Sequence, residues 1–104
     1  MKGGVMPEFV TLTATKRPIS SDGVQWLDYH AVSKRGTNGI DWAVVQFVDN
    51  TLYGGSRLYR ATNKSGDTYL DAPLGESVTA FVVDLVGGSY VGQPPISNTI
   101  SITT

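Results

Sequence analysis

Apolar and polar residues alternate along most of the chain with a period of two, the pattern of a β-strand that buries one face. Phe9–Thr15 shows this most simply, because a threonine stands at every second position after Val10. No segment has the period of an amphipathic helix. The pattern predicts about seven strands, at Phe9–Thr15, Val24–Ser33, Ile40–Val48, Leu52–Arg60, Thr68–Leu70, Ser77–Val86 and Ile96–Thr103. The segment Leu52–Arg60 is interrupted by Gly54-Gly55 and is expected to form one or two short edge strands.

Turn residues separate these strands at regular intervals. Asp22-Gly23 and Asn38-Gly39 are strong turn dipeptides, and the second of them predicts a hairpin turn over Lys34–Gly39. Short strands punctuated in this way are typical of a sandwich or a small barrel. We therefore expect a single β-sandwich domain over residues 9–104, preceded by a flexible lead-in at residues 1–8 that contains two glycines and a proline.

The composition agrees with a small folded domain and excludes several classes of protein. Forty per cent of the 104 residues are apolar and 16 per cent are charged, so the chain can bury enough surface to fold. A net charge of −1 provides no basic surface for nucleic acid and no polybasic patch for a membrane. The absence of cysteine excludes disulfides and thiol chemistry, so the core alone must hold the domain together.

The last third of the chain contains a long apolar strand between a proline turn and a glycine turn, followed by a Pro/Ser segment and a threonine-rich end. Leu70–Gly88 resembles the run from strand E into strand F of a fibronectin type III domain, and Pro94–Asn98 resembles the entry to its strand G. Trp26 stands where that family has a strand-B tryptophan. The resemblance implies a seven-stranded antiparallel sandwich, immunoglobulin-like or fibronectin-III-like. Glu76 replaces the family's corner tyrosine, so other immunoglobulin-like topologies stay open.

The only histidine, His30, lies in a predicted strand two residues from Asp28, so the two side chains share a face and are able to form a dyad. A solvent-facing polar stripe opposite Leu27 and Ala31 explains the same pattern without chemistry. The nine carboxylates are scattered, without the Asp-x-Asp-x-Asp loop of a calcium site. We therefore expect no catalytic residue, no cofactor and no metal site, and a protein that is not an enzyme.

Two predicted strands, Ile40–Val48 and Ser77–Val86, are apolar on both faces, whereas a sandwich strand usually exposes one face to water. Central placement beneath long neighbouring side chains is one explanation, and a contact surface for another protein is the other. These strands are neighbours in sandwiches of this kind. We predict a protein interface on their outer faces, formed by Ala43, Val45, Phe47, Phe81, Val83 and Leu85.

The tyrosines support an alternative function. Exposed tyrosine rings can stack against sugars, although tyrosines at strand edges more often half-bury their rings. The candidate glycan contacts are Tyr53, Tyr59 and Tyr90. In this alternative the chain is an accessory or carbohydrate-binding module of a secreted bacterial enzyme or a cell-surface adhesin.

The leading hypothesis is a structural, protein-binding module. The chain begins with Met and has no secretory signal, yet it has an extracellular type of fold without disulfides. Bacteriophage virion proteins combine these properties, because they assemble in the cytoplasm and act outside it. We expect a small virion component (capsid decoration, or tail- or fibre-associated), located in the virion or outside the cell. Its partners would be protein subunits, in a homo-oligomer or a larger assembly, and neither nucleic acid nor a membrane.

Overall fold

The computed structural model describes residues 9–19, 21–34, 41–60, 64–85 and 88–104. These residues form eight strands and no helix, and seven of the strands have four residues or more. The predicted lead-in at 1–8 and residues 35–39 of the predicted hairpin turn lie outside this part of the chain. The strands are β1 (Val10–Lys16), β2 (Val24–Ser33), β3 (Trp42–Val48), β4 (Thr51–Arg57), β5 (Tyr59–Arg60), β6 (Ser65–Pro73), β7 (Ser77–Asp84) and β8 (Ile100–Thr103).

The strands form two antiparallel, four-stranded sheets that pack as a β-sandwich. The first sheet has the order β1-β2-β6-β5, and the second has the order β4-β3-β7-β8. The predicted all-β sandwich is therefore confirmed. The segment Leu52–Arg60, predicted as one or two strands, forms two, β4 and β5. The break lies at the buried Leu58 and not at Gly54-Gly55, because the chain passes there from the second sheet to the first.

The central strand β2 of the first sheet follows the period of two along its whole length. Leu27, Tyr29 and Ala31 are buried between the sheets, whereas His30 is exposed and Asp28 is half-buried. The residues that the sequence assigns to a polar outer stripe therefore lie on the outer face. Alternation alone fixes which face each β2 side chain takes, since successive side chains of a strand point to opposite sides of the sheet.

The strands β3 and β7 pair at the centre of the second sheet, with Val44 opposite Val82 and Val45 opposite Phe81. Val44 and Val82 belong to the core between the sheets. Val45 and Phe81 belong to a separate apolar cluster on the outer face. The predicted adjacency of these two strands, and the predicted division of their side chains between two faces, are confirmed.

A buried chain of hydrogen bonds joins the two sheets. The Tyr29 hydroxyl on β2 donates to Gln46 Oε1 on β3 at 2.5 Å, and Gln46 Nε2 donates to the carbonyl of Asp71 on β6 at 2.9 Å. Tyr29 and Gln46 are 1% and 0% exposed, so neither can exchange its partner for water. Burial also raises the pKa of Tyr29 well above its ordinary value, which keeps the hydroxyl a donor.

The two tryptophans lie on different sides of their sheets, Trp26 outside and Trp42 inside. Trp26 lies on β2, but its ring is on the outer face of the sheet, edge-on to Tyr69. The tryptophan packed between the sheets is Trp42 of β3, which is 0% exposed. The reason is strand parity: Gln25 and Leu27 on either side of Trp26 are both buried, so Trp26 must point outward.

The last strand is shorter than predicted, since β8 begins at Ile100 and not at Ile96. The Ile96 carbonyl accepts hydrogen bonds from the backbone N–H groups of Phe9 and Val10, both at 3.2 Å. Its own N–H donates to the carbonyl of Val82 at 2.8 Å. Ile96 therefore links the two sheets near the start of β1, and regular pairing with β7 starts only after it.

A threonine closes the corner between β6 and β7, the place where fibronectin type III domains have a tyrosine. Thr104 Oγ1 donates to the carbonyl of Pro73 at 2.6 Å and accepts from the N–H of Glu76 at 2.9 Å. The Thr104 N–H donates in turn to the carbonyl of Glu76 at 2.9 Å. The residue that follows β8 therefore satisfies the backbone groups of this corner.

We expect Tyr29→Phe to lower the free energy of unfolding by about 1–3 kcal/mol, because Gln46 Oε1 is left buried without its donor. The wild type should also lose stability as the pH rises above 10.0, the ordinary pKa of tyrosine. Above that pH an unfolded Tyr29 ionises while the folded one stays protonated, and Tyr29→Phe lacks this part of the pH dependence. Urea unfolding followed by tryptophan fluorescence measures both effects. An equal loss in Tyr69→Phe, which removes an exposed hydroxyl, would contradict the assignment.

Thr104→Val should lower the free energy of unfolding by about 1–2 kcal/mol, because the hydroxyl that bridges Pro73 and Glu76 is lost while the shape of the side chain is kept. Thr103→Val is the matched control, since Thr103 is the neighbouring residue and is exposed at the end of β8. Guanidinium unfolding of both variants gives the comparison. Equal stability of the two variants would show that the corner does not depend on Thr104.

Candidate functional site

The outer face of the second sheet carries an apolar cluster built from its two central strands. Phe47 of β3 and Phe81 of β7 stack with ring centroids 5.7 Å apart and an interplanar angle of 27°. Ala43, Val45 and Val83 lie beside them in the same cluster, and Leu85 packs against it. The structure therefore brings together all six residues that the sequence predicts as a protein interface.

Part of this cluster is already covered by the chain itself. Ala43, Val45 and Val83 are only 1%, 3% and 0% exposed, and the Tyr90 side chain packs against the cluster. The three half-buried members are Phe47, Phe81 and Leu85. These three buried side chains expose very little surface, so the accessible part of this face is smaller than the six residues that the sequence predicts. Its role as a protein interface stays a prediction.

The position of Tyr90 depends on the absence of a side chain at Gly55 on β4. A Cβ atom at Gly55 would lie 2.8 Å from Cζ and 2.9 Å from Cε2 of the Tyr90 ring, closer than such atoms ever pack. Gly55 pairs with Val45, so the ring lies over the edge of the sheet beside Val45. The Tyr90 ring therefore packs directly against the backbone of β4.

The neighbouring Gly54 lies at an irregularity in the pairing of β3 with β4. The register between β3 and β4 shifts between Val45 and Phe47, where Val45 pairs with Gly55 and Phe47 with Leu52. Gly54 has a φ of +118° at this irregularity, a conformation open to glycine and strained for other residues. The Gly-Gly pair therefore provides a bulge at Gly54 and, at Gly55, a backbone without a side chain against which the Tyr90 ring packs. A Gly-Gly pair within a strand pattern is the one sequence signal for this arrangement, because such glycines mark bulges and close approaches.

A groove runs between the sheet and the segment that contains Tyr90. Its volume is about 360 Å³, and Leu52 on one wall and Val91 on the other are 42% and 67% exposed. Gly92, with a φ of +78°, turns the chain at this point. The groove is lined by Val45, Phe47, Leu52, Phe81, Tyr90, Val91, Gly92 and Gln93. An apolar concavity with exposed aliphatic walls is suited to receive an apolar side chain of a partner.

The three tyrosines predicted as glycan contacts do not share one surface. Tyr59 pairs with Asp67 on the first sheet and is 72% exposed on its outer face. Tyr90 is half-buried on the opposite, outer face of the second sheet. Tyr53 lies on β4 and is 42% exposed. The chain changes sheets between Tyr53 and Tyr59. The spacing of the tyrosines in the sequence does not indicate this change, so it could not show that they lie on different surfaces.

Asp28 and His30 share a face, but they pair with different residues. Both oxygens of Asp28 accept hydrogen bonds from Arg17, at 2.7 and 2.9 Å, and this guanidinium lowers the pKa of the Asp28 carboxyl. His30 Nδ1 lies 2.7 Å from Asp67 Oδ1. The two residues are thus engaged separately and do not form a dyad.

Among the described residues there is no group of three or more His, Asp or Glu side chains that could hold a metal ion. Within the same part of the chain, no helix is long and apolar enough to cross a membrane. Comparison with known proteins found no family model, no curated protein and no solved structure that matches this chain. The geometry of the two outer faces is therefore the basis for any functional assignment.

We expect Gly55→Ala to displace Tyr90 from the sheet and to lower the free energy of unfolding by about 1–3 kcal/mol, the cost of overpacking. Gly55 does not have a positive φ, so the substitution tests space alone. Binding of the dye ANS should rise as Val45 becomes accessible. In a Tyr90→Ala background the same substitution should cost almost nothing, because its obstacle is gone. Additive losses in the double variant would contradict direct packing of Tyr90 on Gly55.

Proposed function

We propose that this chain is a non-enzymatic structural module that binds another protein subunit through the groove on the outer face of its second sheet. One observation carries the proposal: a cavity of about 360 Å³ is bordered by Leu52 and Val91, two aliphatic side chains that are 42% and 67% exposed. Exposed aliphatic side chains around an apolar concavity are typical of protein contact sites, because water is released from both partners when they meet.

We also propose that the module is an immunoglobulin-like sandwich, and the order of its strands supports this. If the strands are named A, B, C, C′, D, E, F and G in chain order, the sheets have the orders A-B-E-D and C′-C-F-G. Immunoglobulin domains of the constant type place A, B, E and D in one sheet and C, F and G in the other. Domains with this layout often act as spacers or adhesive units, which agrees with a structural role, although fold by itself does not select a function.

The groove is the centre of the proposed contact and not its full extent. A stable protein interface buries about 1,200–2,000 Å² in total, and a few central residues supply most of the binding energy. Leu52 and Val91 are the best placed for that central role, with the half-buried Phe47 and Phe81 beneath them. The remaining contact area would come from polar residues around the groove.

The partner we propose is a subunit of a larger assembly, with a virion decoration or tail-associated role as the specific form. A domain without cysteine has no disulfide to lose when it moves between reducing and oxidising surroundings, as virion proteins do. A groove bordered by aliphatic side chains suits a permanent contact, since obligate interfaces are more apolar than transient ones.

We expect Val91→Asp to weaken binding to the partner subunit at least about tenfold, because a carboxylate would have to be desolvated in the apolar groove. Ile19→Asp is the matched control, because Ile19 is 68% exposed, close to the 67% of Val91, and does not line the groove. Biolayer interferometry against the proteins encoded by the neighbouring genes, with sedimentation velocity for self-association, measures the effect. A wild-type chain that stays monomeric at high concentration and binds none of these proteins would overturn the proposal.

A further inference from the structure

The outer face of the first sheet is chemically unlike the groove on the second. It presents two strongly exposed tyrosines, Tyr59 and Tyr69, which are 72% and 54% exposed. Between and beside them stand carboxylates, among them Asp28 and Asp67. Exposed rings of this kind offer flat apolar surfaces on which a ligand can stack.

The Tyr69 ring is exposed but firmly positioned. Trp26 meets it edge-on, with ring centroids 5.8 Å apart, and the Arg17 guanidinium lies 4.8 Å from its centroid. Arg17 is itself fixed by two hydrogen bonds to the carboxylate of Asp28, at 2.7 and 2.9 Å. A ring held in this way loses little conformational freedom when a ligand stacks on it, which favours binding.

Tyr59 lies across a cleft from Tyr69. Tyr59 is directly opposite Asp67 in the β5–β6 ladder, and Asp67 is two residues from Tyr69 on the same face. The two tyrosines are therefore diagonal neighbours, with Cβ atoms about 7–8 Å apart or less. The cleft between them has a volume of about 400 Å³ and is bordered by both tyrosines and by Asp28 and Asp67.

We propose that this cleft binds a neutral saccharide, and that the binding is independent of the protein contact on the other sheet. The apolar C–H face of a pyranose ring fits flat against a tyrosine ring, and its hydroxyl groups donate to carboxylates such as that of Asp67, which is 62% exposed. Tyr59 and Tyr69 supply the stacking surfaces. Asp67 supplies the acceptor between them, with Oδ1 beside His30 at 2.7 Å.

The charges around the cleft decide between classes of ligand. An anionic sugar would meet the carboxylates of Asp28 and Asp67, while Arg17 is already engaged by Asp28. A cationic ligand stacked on Tyr69 would be repelled by the Arg17 guanidinium, which lies 4.8 Å from the centroid of that ring and covers one of its faces. A neutral ligand with many hydroxyl groups avoids both conflicts.

The test titrates the ¹⁵N-labelled full chain with cellohexaose, laminarihexaose, xylohexaose and mannohexaose, and with oligogalacturonate as the anionic probe. We expect saturable shifts with at least one neutral oligosaccharide, centred on β5 and β6, and none with oligogalacturonate. Tyr59→Ala and Tyr69→Ala should each weaken binding about tenfold, which is the change that one lost ring contact produces. Asp67→Asn, which keeps the shape of the side chain, should weaken it less.

The control is Tyr53→Ala, which removes a 42% exposed tyrosine on the other sheet and should leave the affinity unchanged. Val91→Asp should also leave it unchanged, so a failed protein contact and a failed sugar site can be told apart. Absence of shifts with every neutral oligosaccharide at millimolar concentration would overturn the proposal. Equal losses in Tyr53→Ala, or preferential binding of oligogalacturonate, would overturn it as well.

Discussion

The structure depends on one constraint, which is that the strands β3 and β7 are apolar on both faces. A strand of this kind must be covered twice, because exposing either face would leave a large apolar area in water. The first sheet covers the inner faces, so that Val44 and Val82 are fully buried. Tyr90 and the turn that follows it cover part of the outer faces. The glycines of β4 meet the same need, since Gly55 leaves the space in which the ring lies.

The two outer faces of the sandwich are consequently different surfaces. The second sheet has an apolar outer face that its own chain covers incompletely, and the remaining groove is where we place the protein contact. The first sheet needs no second cover, because its outward side chains are mostly polar or aromatic, with the 42% exposed Val32 as an exception. It displays Tyr59, Tyr69 and a set of paired charges instead. A module with two unlike faces can bind two unlike partners at once, since neither contact blocks the other.

Two features of the sandwich are formed by residues that the fibronectin type III resemblance does not name. Thr104 ties the β6–β7 corner through Pro73 and Glu76, and Trp42 fills the core from β3 while Trp26 lies outside. Each of these residues meets a physical requirement of the sandwich. The corner still needs a hydroxyl group to satisfy its backbone, and the core still needs a large apolar side chain near its centre.

The sequence by itself determined the class of fold, most strand positions and the side that each strand residue faces. These follow from local rules, because side chains of a strand alternate and turns need glycine, proline or asparagine. The sequence also indicated that Ile40–Val48 and Ser77–Val86 are apolar on both faces. The structure places all six predicted interface residues of these strands in one cluster.

Only the tertiary structure decided what covers that cluster and which tyrosines share a surface. Tyr90 meets Gly55 across 35 residues of chain, and Tyr59 meets Asp67 only because the chain changes sheets at Leu58. The alternation of apolar and polar residues along a chain indicates which face of a strand each side chain takes. It does not indicate which distant segment covers that face. That choice is made by the packing of whole sheets, where the available space and the shapes of the side chains are settled together.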